Sequence, residues 1–344
     1  MRAVVAHAAK DLRVEDAPSP PLGPHDVRVR IGFGGICGSD LHYYNHGGFG
    51  AVRLREPMIL GHEIAGTIDA VGAEAKGLKV GDRVAVNPSV PCNACRYCLE
   101  GLQNHCLDMR FYGSAMRFPH VQGAFRELLV CREGQAHPIA DGMTLQEAAM
   151  GEPLAVALHA IRRAGPLMGR RVLVNGCGPI GTLAAMAARR AGAAEIVVTD
   201  IADGVLAFAR RTGADRVINV AHEPDALRAY SVDKGYFDAM FEASGAEAAL
   251  RSGLEVVRPR GVIVQLGLGS GEMTLPVNVL TAKEIELKGT FRFHEEFALA
   301  LEFIGKRLID VKPLITATEP LEKARDAFEL ANDRSRSMKV QIAF

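Results

Sequence analysis

The segment Arg171-Val-Leu-Val-Asn-Gly176-Cys-Gly178-Pro-Ile-Gly181 places three glycines between a short apolar run and an alanine-rich stretch, Thr182 to Ala191. The apolar run predicts a buried strand, and the alanine-rich stretch predicts a helix. We expect Gly176 to make the tight turn, Gly178 to let the backbone approach a pyrophosphate, and Gly181 to let helix and strand pack closely. The helix N-terminus would present its partial positive charge to the phosphates.

An acidic residue follows at the position that a dinucleotide site requires. The next predicted strand ends in Asp200, about 20 residues after the glycines, where a carboxylate can accept hydrogen bonds from ribose hydroxyls. The segment Ile201 to Ala209 has no Lys or Arg to attract a 2′-phosphate, which favours NAD over NADP. A glycine-rich turn beside a surface aspartate is the alternative interpretation. The predicted NAD site consists of Gly176, Gly178, Pro179, Ile180, Gly181 and Asp200.

The pattern of the chain changes near Pro153. The first 150 residues contain short strands and frequent turns, which predict an irregular β-rich barrel. After Pro153, helical runs alternate with apolar strands, and this alternation predicts a parallel, doubly wound sheet in an α/β protein. Its predicted strands are Val172 to Val174, Ile196 to Thr199, Val217 to Asn219, Phe237 to Phe241, Val262 to Leu266 and Ile285 to Leu287. The tail from Phe291 is expected to rejoin the first domain, which gives a catalytic domain of residues 1–153 and 291–344 and an NAD-binding domain of residues 154–290.

The composition limits the possible partners. A chain of 344 residues with 48% hydrophobic residues can bury two ordinary cores. Lys and Arg number 40, and Asp and Glu also number 40, so the net charge is zero and a nucleic-acid partner is not expected. The most apolar stretch, Val172 to Ala188, is too short and small-sided for a membrane span. Because the N-terminus reaches Lys10 and Asp11 before an apolar core of signal-peptide length forms, we expect a cytoplasmic protein with no membrane partner.

Four of the seven cysteines lie close together in the sequence. Cys92, Cys95, Cys98 and Cys106 are spaced closely enough for four thiolates to reach one tetrahedral ion. A closed site of this kind has no open position for substrate, so we predict a structural zinc. Two disulfides, or a chance cluster of core cysteines, are the alternatives.

A second set of possible ligands is dispersed along the chain. Cys37, His62 and Glu152 would supply one thiolate, one imidazole and one carboxylate, and would leave a position open for a substrate oxygen. Taken singly, Cys37 is more often a small buried residue, His62 a core histidine and Glu152 a carboxylate at a helix start.

Several motifs resemble those of one enzyme family. Gly61-His62-Glu63, followed by Gly66, Gly72 and Ala75, resembles the zinc-containing alcohol dehydrogenase signature of the medium-chain dehydrogenase/reductase superfamily, and the likeness covers the whole chain. The stretches 37–43 (Cys-Gly-Ser-Asp-Leu-His-Tyr) and 151–156 (Gly-Glu-Pro-Leu-Ala-Val) resemble the sorbitol dehydrogenase branch. The stretches 87–89, 108–121 and 289–293 resemble the L-idonate 5-dehydrogenases, and 108–121 is extended relative to sorbitol dehydrogenases. The resemblance implies a GroES-like barrel joined to a Rossmann domain, with two zinc ions per chain.

The resemblance also implies a reaction. A zinc ion held by Cys37, His62 and Glu152 would activate a secondary hydroxyl, and hydride would pass to NAD. Ser39 matches the hydroxyl that takes the proton, and His42 matches the histidine that passes it to solvent. Glu63 competes with Glu152 for the role of carboxylate ligand.

The implied substrate is a sugar acid, with L-idonate oxidised to 5-keto-D-gluconate. Tyr43, Arg110 and Arg292 are the candidates for substrate binding. A sorbitol or xylitol dehydrogenase is the alternative enzyme, and a catalytically silent protein that binds NAD and zinc is the alternative from another class. Relatives in the family are dimers or tetramers, so a homo-oligomer is expected.

Overall fold

The computed structural model describes residues 1–269 and 271–344. The strands of this part of the chain, numbered in order, are β1 (Arg2–Ala8), β2 (Asp11–Asp16), β3 (Asp26–Gly35), β4 (Gly48–Phe49), β5 (Val52–Arg53), β6 (Met58–Ile59), β7 (Glu63–Val71), β8 (Arg83–Val86), β9 (Ser89–Val90), β10 (Arg110–Phe111), β11 (Leu128–Arg132), β12 (Ala136–Pro138), β13 (Arg171–Asn175), β14 (Glu195–Asp200), β15 (Arg216–Asn219), β16 (Phe237–Glu242), β17 (Val257–Gln265), β18 (Glu286–Gly289), β19 (Ile315–Pro320) and β20 (Lys339–Ala343).

The α-helices are α1 (Gly38–His46), α2 (Arg96–Leu99), α3 (Leu145–Ala149), α4 (Gly151–Ala164), α5 (Pro179–Arg190), α6 (Asp203–Arg211), α7 (Pro224–Arg228), α8 (Glu247–Val256), α9 (Val277–Lys283), α10 (Glu296–Gly305) and α11 (Ala324–Asn332). Within the described ranges, no helix combines the length and the apolar character that crossing a membrane requires.

The chain divides into two compact units. Unit 1 comprises Met1–Glu152, Phe297–Asp333 and Lys339–Phe344, and unit 2 comprises Pro153–Glu296 and Arg334–Met338. Unit 1 is therefore built from segments that are distant in the sequence.

Unit 1 is an irregular, mainly antiparallel β structure. Its largest sheet has the order β12-β8-β7-β3-β20-β19, and β11 also pairs with β3. The central strand β3 alternates buried apolar residues with more exposed ones, so Val27, Val29 and Ile31 enter the core while Arg28 and Arg30 reach Asp69. The C-terminal strand β20 pairs antiparallel with β3, so the end of the chain completes this sheet. The predicted β-rich barrel is confirmed.

Unit 2 is a six-stranded parallel sheet with the order β15-β14-β13-β16-β17-β18. Its inner strands carry many buried apolar residues, and Leu173, Val197, Met240 and Ile263 are fully buried, as expected for a sheet with helices on both faces. The chain starts in the middle at β13, runs outward to β15, and returns to β16 on the other side. The carboxyl ends of β13 and β16 therefore form the switch point at which such sheets bind ligands. The predicted doubly wound fold is confirmed.

Candidate active site and metal centres

The four closely spaced cysteines converge in unit 1. The sulfur atoms of Cys92, Cys95, Cys98 and Cys106 all lie within 4.8 Å of one another. Two of the distances are 3.6 Å, between Cys95 and Cys98, and 3.4 Å, between Cys92 and Cys106. A disulfide would require about 2.05 Å, whereas two thiolates on one tetrahedral zinc lie about 3.8 Å apart because each Zn–S bond is about 2.3 Å. All four cysteines are free, so the geometry matches a metal site and excludes the two disulfides.

Backbone N–H groups point at these sulfur atoms. The N–H of Cys92 donates to Cys106 Sγ at 3.1 Å, and the N–H of Leu107 donates to Cys95 Sγ at 3.4 Å. Donated hydrogen bonds favour the thiolate over the thiol. Those from the Leu107 and Cys98 backbone lower the pKa of Cys95 to about 6, whereas burial raises the pKa of Cys98 to about 12. A divalent cation would hold all four as thiolates.

A second group of metal-binding side chains lies elsewhere in unit 1. Cys37 Sγ, a ring nitrogen of His62 and a carboxylate oxygen of Glu63 lie within 4.8 Å of one another. Cys37 precedes α1, and Glu63 begins β7 directly after His62. His62 is 4% exposed and its ring packs on Phe111, with centroids 5.4 Å apart. Two loops and one strand start therefore bring three different donor types to one place.

The donor set fits a zinc ion. Thiolate sulfur, imidazole nitrogen and carboxylate oxygen are the ligands that zinc prefers. Nδ1 of His62 is buried, and the described residues offer it no hydrogen-bond partner. Burial raises the pKa of the Cys37 thiol to about 11, so this thiol would be neutral at pH 7 without a cation. A bound divalent ion would stabilise the thiolate and use the imidazole nitrogen.

Asp40 supports this group, and the sequence reasoning did not assign it a role. Its carboxylate is completely buried and accepts hydrogen bonds from the N–H of Cys37 at 3.0 Å and from the N–H of Gly61 at 3.1 Å. A carboxylate oxygen of Asp40 also lies 3.8 Å from Nδ1 of His62, which is too long for a hydrogen bond. Asp40 therefore fixes both segments that carry the ligands. An acidic residue in the first turn of α1 was the available signal.

Glu63 has a charged partner that the sequence analysis also missed. The Lys339 ammonium donates to both Glu63 oxygens at 2.7 Å, and both residues are buried. Lys339 is the first residue of β20 and is flanked by buried apolar residues. A lysine in a buried strand was the only sequence signal, because nothing local indicates its partner 276 residues away.

Glu152 lies in the first turn of α4 and is 5% exposed. Burial, with Glu63 and Cys37 adding to it and His62 opposing it, raises the pKa of Glu152 to about 8. The Glu152 carboxylate is therefore close enough to Cys37, His62 and Glu63 to interact with them electrostatically. Within the described residues, however, its oxygens are not part of the 4.8 Å group, in which Glu63 takes the carboxylate position.

The other residues predicted for proton transfer and substrate binding in unit 1 have different environments. Ser39 and His42 both lie on α1, and the exposed His42 ring packs on Phe49 with centroids 5.7 Å apart. Tyr43 is buried, and its hydroxyl oxygen accepts a hydrogen bond from the N–H of Ala115 at 2.9 Å, so it fixes the extended 108–121 stretch. Arg110 is exposed on the two-stranded sheet of β9 and β10.

The predicted dinucleotide turn forms at the switch point of unit 2. Gly176 has φ of +82°, a left-handed value that favours glycine. A Cβ on Gly181 would lie 1.8 Å from the carbonyl oxygen of Gly176, so only glycine allows α5 to pack against the turn. A Cβ on Gly178, by contrast, would meet no atom of the described residues within 4 Å. The α5 N-terminus thus borders open space, with Pro179 at its first position and Ile180 after it.

Asp200 ends β14 beside this turn and is 9% exposed. One of its oxygens accepts from the N–H of Cys177 at 2.8 Å, and the other accepts from the N–H groups of Ile201 at 2.7 Å and Ala202 at 3.1 Å. A carboxylate has about four acceptor sites. The backbone therefore orients Asp200 firmly and leaves acceptor capacity for a ligand.

Arg292 also belongs to unit 2. Its backbone is in the left-handed region, with φ of +54°, and its guanidinium lies over the Phe291 ring, 4.8 Å from the centroid. Non-glycine residues rarely adopt this conformation, and such outliers are concentrated at functional sites.

Comparison with known proteins identifies relatives over the whole chain. Residues 23–141 match the family model described as alcohol dehydrogenase GroES-like domain, and residues 179–306 match that of the zinc-binding dehydrogenases. The L-idonate 5-dehydrogenase (NAD(P)(+)) of Escherichia coli (strain K12) is 42% identical over 316 residues, which cover 92% of this chain and 91% of that protein. The sorbitol dehydrogenase of Homo sapiens is 37% identical over 335 residues, which cover 95% and 91%.

Solved structures give the same picture. The crystal structure of L-idonate 5-dehydrogenase from Escherichia coli K-12 superposes with a TM-score of 0.96 at 40% identity and covers 100% of this chain and 98% of that one. An Escherichia coli CFT073 alcohol dehydrogenase (rspB) complexed with NADH has a TM-score of 0.91 at 28% identity and covers 100% and 99%.

Proposed function

This chain belongs to the family of zinc-dependent alcohol and polyol dehydrogenases, and we propose that within it the protein uses NAD to oxidise L-idonate to 5-keto-D-gluconate. The oxidoreductase class rests on the family. The observation that supports this chemistry best is the convergence of Cys37, His62 and Glu63 within 4.8 Å in one unit. The sugar-acid substrate is supported by the 42% identity to an L-idonate 5-dehydrogenase.

The proposed metal site uses Cys37, His62 and one carboxylate, from Glu152 or Glu63. A zinc ion held there supplies Lewis-acid polarisation of the alcohol oxygen. The chain itself supplies the proton path. Ser39 and His42 are three residues apart on α1 and so lie on one face of the helix. We assign Ser39 to accept the substrate proton and the exposed His42 to release it to solvent.

Unit 2 binds NAD in this proposal. The α5 N-terminus receives the pyrophosphate beside Gly178, and Asp200 accepts hydrogen bonds from the ribose hydroxyls. A carboxylate already oriented by three backbone N–H groups cannot turn away from a 2′-phosphate. The repulsion that results, together with the lack of Lys or Arg in 201–209, favours NAD over NADP.

Arg292 is the leading candidate to pair with the substrate carboxylate. Arg292 is a half-buried residue with an unusual backbone conformation, which supports a functional role, whereas Arg110 is exposed and is the second candidate. A charge-assisted hydrogen bond contributes about 1.5–3 kcal/mol. Arg292→Gln should therefore lower kcat/KM for L-idonate by about tenfold or more while sparing sorbitol. The same measurement on Arg110→Gln tests the second candidate.

The assay is NADH formation with L-idonate, sorbitol and xylitol. Faster turnover of L-idonate supports the sugar-acid proposal. Good turnover of sorbitol or xylitol with none of L-idonate would replace it with a polyol dehydrogenase, the alternative that the 37% identity to a sorbitol dehydrogenase favours. No turnover of any substrate by metal-loaded protein would favour the catalytically silent alternative.

We further propose two zinc ions per chain with different roles. Cys37→Ser should abolish turnover with the fold retained, because it removes a ligand from the open site. Cys95→Ser should lower stability and soluble yield, because a closed site is linked to folding. Metal analysis of fully active protein that gives one ion per chain would contradict this assignment.

A homo-oligomer, dimer or tetramer, completes the proposal. Strand β18 is an edge of the six-stranded sheet, and Leu287 on it is 39% exposed. An edge of this kind can pair with a second copy. Light scattering on the purified protein tests it, and a monomer at micromolar concentration would contradict it.

A further inference from the structure

A turn near the C-terminus of the chain is part of unit 2. This C-terminal turn, Arg334–Met338, lies between α11 and β20. It packs on Gly204, where an added Cβ would lie 3.0 Å from the carbonyl oxygen of Ser335 and 3.3 Å from that of Arg334. Gly204 lies in the first turn of α6, which begins just after Asp200 ends β14. The C-terminal turn therefore brings Arg334 beside the segment that carries the carboxylate assigned to the ribose.

The guanidinium of Arg334 is not engaged within the described part of the chain. Arg334 is exposed, and its side chain makes no ion pair or hydrogen bond there. The acidic residues of the same region already have partners. Asp203 accepts a hydrogen bond from Asn219 Nδ2 at 2.6 Å, and the oxygens of Asp200 accept hydrogen bonds from three backbone N–H groups. The positive charge of Arg334 is therefore available for an anionic group of a ligand.

The charge of Arg334 acts on the glycine turn of the proposed coenzyme site. Cys177 lies between Gly176 and Gly178 and is completely buried. Burial, with Asp200 adding to it and the Arg334 charge opposing it, raises the pKa of the Cys177 thiol. Interactions between charges weaken with distance. Arg334 is therefore close enough to the glycine turn to act on a charged group that binds there.

We propose that Arg334 is a specificity-determining residue of the coenzyme site, where it offers a positive charge to a phosphate on the ribose that Asp200 binds. The inference rests on the proposed function, because it requires NAD at the glycine turn. Asp200 repels a 2′-phosphate, whereas Arg334 attracts it, so NADP is a weaker coenzyme than NAD but is not excluded. The stretch 201–209 has no Lys or Arg, and the positive charge comes instead from the far end of the chain.

The test measures the dissociation constants of NADH and NADPH by fluorescence titration of the full-length protein. Arg334→Gln should weaken NADPH binding by about tenfold or more, the usual effect of losing a hydrogen bond to a charged group. NADH has no 2′-phosphate, so its binding should weaken by less than about threefold, as for an exposed charge without a direct partner.

Arg336→Gln is the matched control. Arg336 lies in the same C-terminal turn and is also exposed, but the atoms closest to Gly204 belong to Arg334 and Ser335. The variant removes the same charge and should leave both dissociation constants unchanged. Equal losses of NADPH affinity in Arg334→Gln and Arg336→Gln would overturn the inference, because the effect would then come from the overall charge of the surface.

A second comparison removes the opposing charge. Asp200→Ala should bind NADPH more tightly than the unaltered protein, and adding Arg334→Gln to it should weaken NADPH binding by about tenfold or more. Equal NADPH affinity of Asp200→Ala and the double variant would overturn the inference. Equal losses of NADH and NADPH affinity in Arg334→Gln would also overturn it, because Arg334 would then contact a phosphate that both coenzymes carry.

These outcomes are separate from a failure of the proposed function. If the unaltered protein binds neither NADH nor NADPH, the coenzyme site fails and the inference fails with it. If the unaltered protein binds NADH and the Arg334→Gln change has no effect on NADPH affinity in either background, only the inference fails.

Discussion

Alanine at two glycines of one turn should separate a packing role from a ligand-binding role. At Gly181 the added Cβ would lie 1.8 Å from the Gly176 carbonyl oxygen and must move by about 1.2 Å to reach the 3.0 Å minimum. The obstacle is backbone, so α5 itself must shift. Overpacking of this kind lowers the free energy of unfolding by about 1–3 kcal/mol, and the better helix propensity of alanine offsets up to about 1 kcal/mol of that loss. We expect Gly181→Ala to lower the free energy of unfolding by about 2 kcal/mol.

Gly178 provides the matched control. Its φ of −60° and ψ of −172° suit alanine, and the described residues place no atom within 4 Å of the added Cβ. Because Gly178 is the N-cap of α5, where alanine is less favourable than glycine, the free energy of unfolding should fall by up to about 1 kcal/mol, less than in Gly181→Ala. The methyl group would nevertheless enter the space assigned to the pyrophosphate. Loss of one charge-assisted hydrogen bond, about 1.5–3 kcal/mol, should weaken NADH binding by about 10- to 150-fold.

The assays are urea unfolding followed by circular dichroism and NADH titration followed by fluorescence. Gly178→Ala should be only slightly less stable than the unaltered protein but bind NADH poorly, and Gly181→Ala should lose both stability and NADH affinity. Normal NADH affinity in a stable Gly178→Ala protein would refute the assignment of this turn to the pyrophosphate.

Two further predictions concern charged groups of unit 2. Asp200→Ala should lower kcat/KM for NAD and raise the ratio of kcat/KM for NADP to kcat/KM for NAD by about tenfold or more, because the repulsion of a 2′-phosphate is removed. Equal kcat/KM values for both coenzymes in the unaltered enzyme would contradict the role assigned to Asp200. Burial opposes ionisation of Glu296, but hydrogen bonds from His159 and from the His294 N–H outweigh it and lower the pKa of Glu296 to about 2 from 4.5. The stabilisation by the ionised carboxylate is therefore complete above pH 4.5 and is lost as the pH falls toward 2. Glu296→Gln should lower the free energy of unfolding by about 2–3 kcal/mol at pH 7 and by almost nothing at pH 2. Thermal unfolding between these pH values measures the difference, and a loss of stability that does not depend on pH would contradict this explanation.

Much of the fold was predictable because its signals are local. The predicted strands Val172 to Val174 and Ile196 to Thr199 lie within β13 (Arg171–Asn175) and β14 (Glu195–Asp200). Alternating strands and helices fixed the parallel sheet, since each parallel connection needs a crossover helix. Strand β17 begins at Val257, five residues before the predicted start at Val262, because Pro259 and Gly261 mask the strand pattern.

Parts of the site that are built from residues close together in the sequence were predictable, and parts that depend on distant residues were not. The four clustered cysteines and the glycines before α5 each lie within a short stretch of sequence, so their spacing alone was enough to predict that they lie close together. The choice between Glu63 and Glu152 could not be made in this way, because both are carboxylates beside an apolar segment. Tyr43 was assigned to substrate binding by resemblance, and only the structure shows that its hydroxyl oxygen also accepts a hydrogen bond from the N–H of Ala115.

The sequence by itself determined the fold class of each unit, the four-cysteine cluster and the dinucleotide turn. A tight turn or a cluster of closely spaced metal ligands depends on residues only a few positions apart. Only the tertiary structure decided the surroundings of Cys37 and His62. Asp40 meets the N–H of Gly61 across 21 residues, and Lys339 meets Glu63 across 276. The Lys339–Glu63 contact follows from the register of β20 against β3 and of β3 against β7, and register across a sheet depends on packing of the whole core, which no local spacing encodes.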